Sequence, residues 1–89
     1  MPYIKPSQRS EIDDLIAQLA AKIKEIAPSP NTDGVMNYTI TTLVHKVYNQ
    51  TNYKTINNVV GMLECVKQEY YRRVAAPYED EKIKENGDV

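Results

Sequence analysis

The 89-residue chain is one domain's worth of sequence, with 42% hydrophobic residues, 26% charged residues and a formal net charge of −1. That composition excludes collagen-like, disordered and disulfide-scaffold classes, and no apolar run approaches the roughly 20 residues of a membrane helix. The charge is evenly spread, five basic and five acidic residues up to Gln50 and six and seven beyond it, which argues against non-specific nucleic-acid binding.

The single cysteine, Cys65, leaves no intramolecular disulfide to form. Met1-Pro2-Tyr3-Ile4-Lys5-Pro6 has no apolar core of a signal peptide, so a soluble protein of the cytoplasm is expected. Seven Tyr supply all the aromatic surface, there being no Phe and no Trp.

In chain order, residues 1–6 read as an extended arm because two prolines disfavour helix around them. Ile12, Leu15, Ile16, Leu19, Ile23 and Ile26 then recur at three- and four-residue spacing, predicting a first amphipathic helix near 10–27, closed by Pro28. A second helix near 34–48 is expected after Asp33 as N-cap. Its Thr39-Ile40-Thr41-Thr42 has strand-like propensity, but Ile40, Leu43, Val44 and Val47 keep the 3.6 period, and period is given precedence.

The third helix is predicted to be the longest, near 53–76, with Ile56, Val59, Val60, Leu63, Val66, Tyr70 and Val74 as one stripe. Pro77 must end or kink it. Residues 77–89 read as a short helical extension, with Asp80 and Lys84 paired at i, i+4 and Asn86-Gly87 as C-cap. The expected fold is therefore all-α: a small antiparallel three-helix domain spanning 1–89, oligomeric through its long third helix. Its expected core is Leu15, Ile16, Leu19, Ile23, Ile40, Leu43, Val44, Val47, Ile56, Val59, Val60, Leu63, Val66 and Tyr70.

Catalytic motifs are missing from the sequence: no P-loop, no dinucleotide fingerprint, and no Cys/His cluster for a metal. His45 reads as a surface histidine and Cys65 as a small buried side chain, so a non-enzymatic protein without cofactor or metal is expected.

Two features of the third helix stand out. Asn58, Gly61, Met62, Cys65, Gln68, Glu69 and Arg72 lie away from the main stripe, and a helix-interior Gly costs about 1 kcal/mol relative to Ala. Gly61, Met62 and Cys65 are the candidate subunit contact, although packing of the Tyr3-Ile4 arm there would account for them equally well. The second feature is Lys67-Gln68-Glu69-Tyr70-Tyr71-Arg72-Arg73, followed by Tyr78, in which Tyr faces suit stacking and Arg forks suit anions. Asn58, Gln68, Tyr71, Arg72, Arg73 and Tyr78 are the candidate ligand-binding residues. The plainer alternative makes Tyr70 core and pairs Glu69 with Arg73, leaving Arg72 unpaired.

The stretch Tyr71-Arg72-Arg73-Val74-Ala75-Ala76-Pro77-Tyr78-Glu79-Asp80, continuing to Lys82-Ile83 and Asn86-Gly87-Asp88-Val89, taken with the opening Met1-Pro2-Tyr3-Ile4-Lys5-Pro6 and with Asn37-Tyr38-x-Ile40-Thr41, resembles a family of short uncharacterised proteins of tailed phages, prophages and some bacteria. The resemblance implies a phage origin, the cytoplasm of an infected bacterium as setting, and relatives that continue past Val89, often with a Tyr. It brings no assigned residues. Small non-enzymatic phage proteins of this kind suggest a counter-defence binding protein that sequesters an anionic small molecule, such as a nucleotide immune signal, as a homo-oligomer without membrane partner. The alternatives are an inhibitor or adaptor acting on a host protein, and a structural or replication accessory with no small ligand.

Overall fold

The computed structural model describes all residues, 1–89, and contains helices and no strand. Helix α1 spans Pro6–Ile26, α2 spans Thr32–Val47 and α3 spans Tyr53–Tyr70. A π-turn over Tyr71–Ala75 then leads directly into α4, Ala76–Asn86. By its internal contacts the chain divides into two compact units, one of residues 3–51 and the other of residues 1–2 with 52–89. No helix is long and apolar enough to cross a membrane.

In the unit of residues 3–51, α1 begins four residues earlier than the periodicity predicts. Pro6 takes the first helical position, where its missing N–H is not needed, so this proline opens the helix instead of delaying it. The Lys5 N–H donates back to Gln8 Oε1 at 3.4 Å, and Arg9 Nε donates to the Ile4 carbonyl at 2.9 Å. The arm is thus shortened to residues 1–5.

α1 and α2 meet at the corner between them. Ile23 and Ala27 are the two buried residues of the whole chain. The Thr32 hydroxyl donates to the Ala27 carbonyl at 2.8 Å, satisfying an acceptor that the end of α1 leaves open. Asn31, not Asp33, is the N-cap of α2, and its side chain makes no capping bond. The threonine run is helical as the period requires. Thr39 donates to the Val35 carbonyl at 2.7 Å, which occupies the hydroxyl that would otherwise compete for backbone.

In the other unit, the Asn52 side chain caps α3 by accepting the Thr55 N–H at 2.9 Å. Of the two outcomes expected at Pro77, an end does not occur: the helix changes pitch and goes on. In an α-helix the Pro77 ring would strike the carbonyl of Arg73, four residues earlier, and Pro77 has no N–H to offer it. The chain widens by one residue instead, the Ala76 N–H reaching the Tyr71 carbonyl, and helix continues through the proline. Gly87, at φ 86°, ends α4 as its sequence position predicts, in a region where a side chain is strained. The expected Asp80–Lys84 pair is not made. Lys84 Nζ instead reaches Glu81 at 3.2 Å, and Lys82 reaches Glu85 at 3.1 Å.

The expected core is the largest correction. Of its fourteen residues only Ile23 is buried; Val44 and Val59 are half-buried and the rest are exposed, Leu15 at 60% and Val60 at 63%. The helical periodicity is present, but within each unit no second helix lies over the stripes.

Candidate functional site

The helical run from Met62 to Val74 carries an open groove of about 490 Å³. One helix turn apart, Met62, Val66 and Tyr70 line it, joined by Cys65 and Val74, and Met1 and Pro2 contribute the rest of the apolar lining. Glu69 and Arg73 are its charged members. A second cleft of about 240 Å³ shares Met1, Pro2, Cys65 and Glu69 with the first and adds Gln68 and Arg72, so the two adjoin.

Glu69 is the electrostatic centre of this region. Arg72 Nη2 donates to Glu69 Oε2 at 3.0 Å, while Arg73 Nε stands 3.7 Å from the same oxygen. The expectation that Arg72 is left unpaired is therefore wrong: it holds the closer pairing and Arg73 the looser one. Both spacings, three and four residues, are within reach on a helix surface. One carboxylate faces two guanidiniums, a local surplus of one positive charge beside an apolar groove. All three side chains keep access to water, and exposed pairs of this kind contribute little to stability.

Tyr71 makes a local contact. Its hydroxyl donates to the Glu79 carboxylate eight residues on, bridging the π-turn and the first turn of α4. That hydrogen bond, and the negative charge of Glu79, push the Tyr71 phenol above its ordinary 10.0. Tyr78 is also turned to local work, its ring lying 5.5 Å from Lys82 Nζ. Neither tyrosine lines the groove, nor does Asn58. The structure thus brings together Gln68, Arg72 and Arg73 of the six candidate ligand residues.

Of the candidate subunit-contact residues, Met62 and Cys65 line the groove. Cys65 is exposed rather than buried. At Gly61 an added Cβ would meet nothing within 4 Å, so no part of the chain makes the close approach that its glycine suggested. It is Met1 and Pro2, not Tyr3 and Ile4, that share lining with Cys65. His45 is exposed on α2.

Sequence reasoning missed Met1 and Pro2 as groove residues, and it assigned Val66 and Tyr70 to the core. The available signal was spacing: Met62, Val66, Tyr70 and Arg73 succeed one another at one-turn intervals.

The match to known families extends over this whole arrangement, because the model of a domain of unknown function, DUF6899, covers residues 1–89. The chain belongs to the DUF6899 family. No curated protein and no solved structure matches it. In this DUF6899 protein the groove, the Glu69 pairing and the π-turn all fall on 14 consecutive helical residues, Met62 to Ala75, together with Met1 and Pro2.

Proposed function

We propose that this DUF6899 protein is a binding module without catalytic machinery that captures an anionic small molecule of nucleotide type. The observation that carries the reading is the adjacency of a largely apolar groove of about 490 Å³ to the Arg72–Glu69–Arg73 cluster. Small-molecule sites are typically apolar concavities of about 300–1,000 Å³ with a few placed polar groups. A base would lie against Tyr70 and Val66, and a phosphate would take the guanidiniums from Glu69, exchanging a shared carboxylate for a group of higher charge. With the resemblance to phage proteins, this supports a phage-encoded accessory that sequesters a nucleotide signal of host defence in the bacterial cytoplasm.

Calorimetry against a panel of linear and cyclic nucleotides tests the reading. Wild type is expected to bind at least one of them, and Arg72→Ala to remove that binding with helical circular dichroism unchanged. Arg73→Ala should weaken it less. Absence of binding across the panel would end the sequestration reading.

A second reading, an inhibitor or adaptor of a host protein, draws on α1. Ile12, Leu15, Ile16 and Leu19 are exposed there at i, i+3, i+4 and i+7, the spacing with which a helix enters a partner's groove. Recovery of one stoichiometric host protein that Leu15→Glu abolishes would favour it.

A further inference from the structure

The apolar stripe of α3 is distinct from the Gly61 side of that helix and extends beyond the ligand groove. We infer that this stripe seats a second copy of the same chain, pairing α3 with α3. Ile56, Val60, Leu63, Val66, Tyr70 and Val74 are between 37% and 67% exposed, and no helix of their own unit lies over them.

Area and self-complementarity point to the occupant. From those exposures the six side chains present roughly 600 Å², at the upper end of the largest patch on a typical monomer. That is about three quarters of the 800 Å² that each partner contributes to a standard interface. The flanking groups of the helix supply the remainder.

The stripe runs over residues 56–74, about 27 Å, and a second copy of the chain presents the same six side chains over the same length. The rim of the stripe carries both signs, Glu64 with Lys67 at 3.1 Å and Glu69 between Arg72 and Arg73, so the surplus that a two-fold axis sets against its copy is a single positive charge.

Leu63 lies near the middle of the stripe, so it falls close to its own counterpart when the two helices pair in register or about that residue. Two cysteines join only where their Cα atoms come within about 7 Å. With Cys65→Ser as background, Leu63→Cys is expected to give a disulfide-linked dimer under mild oxidation, and Gly61→Cys to give none. Wild type should sediment as a dimer or a multiple of one, and Leu63→Glu should raise the dissociation constant at least tenfold while keeping its helical signal.

Two results would overturn the inference. One is a wild-type monomer at every concentration up to millimolar, which would leave the stripe to another part of the same chain. The other is cross-linking through Gly61→Cys in place of Leu63→Cys, which would put the contact on the other side of the helix. Should Leu63→Glu fail to fold, the cysteine pair still decides, since it keeps side chains of moderate size. Val66, Tyr70 and Val74 line the groove as well as the stripe, so a second copy and a nucleotide compete for them. Cross-linking at position 63 and calorimetry are separate readouts that tell failure of one from failure of the other.

Discussion

The corner between α1 and α2 and the continuous run from α3 into α4 are built from similar amphipathic helix, yet they spend their apolar residues differently. At the corner Ile23 and Ala27 are enclosed and Thr32 bonds back across the loop, so sequence-local contacts hold the turn. Along α3 and α4 no residue is buried, and the helix is held by its own ends and by side chains on successive turns: Asn52 at the start, Tyr71 to Glu79 across the π-turn, Gly87 at the end. Burial fixes a chain reversal. An uncovered stripe leaves surface for something else to bind, and it is on this second region that the groove and the arginine pairing lie.

The comparison breaks most sharply at Ile23. Ile23→Ala is expected to cost about 2–5 kcal/mol in urea melts at fixed protein concentration, because it empties the one enclosed site. Exposed Val60→Ala, read for local stability in the same way under conditions where the protein is monomeric, should cost well under half as much. Equal costs would mean that both regions are covered alike.

At the start of α3, Asn52→Ala is expected to lose about 1 kcal/mol by removing the cap on Thr55, with hydrogen exchange accelerating first at residues 53–56. Fraying that spreads evenly into α1 and α2 would show the two units to be one cooperative body.

The smallest effect is expected at the π-turn. The Tyr71 phenol is held above 10.0 by Glu79, so the contribution of this bond is complete below pH 10 and is lost as pH rises through the raised value. Absorbance titration should show one tyrosine ionising late, and Tyr71→Phe or Glu79→Gln should abolish that late step. A late step that survives Glu79→Gln would assign it to another tyrosine and remove the bridge from solution.

Much of the fold was legible in the chain because helix is a local property. The three- and four-residue spacing from Ile12 to Ile26 and from Ile56 to Val74 marks its helices without reference to any neighbour, and the same spacing overrode the strand propensity of Thr39–Thr42. Errors at the helix starts were also local: Pro6 suits a first turn better than it disfavours one, and Asn31 precedes the expected Asp33 cap. The candidate site was legible in part. Gln68, Arg72 and Arg73 stand out by residue type and line the two clefts, whereas the Tyr71–Glu79 bond, eight residues apart, was not legible from spacing.

The sequence by itself determined which segments are helical, where Gly87 stops the last one, and that one face of each helix is apolar. Only the tertiary structure decided what those faces touch. Periodicity states that a stripe must leave water but is silent on what covers it, so a core-like pattern on α3 is equally consistent with an intramolecular bundle and with an exposed binding face. The tertiary structure likewise decided the pairing of Glu69. A carboxylate with arginines three and four residues on can reach either, and spacing alone does not say which it holds more closely.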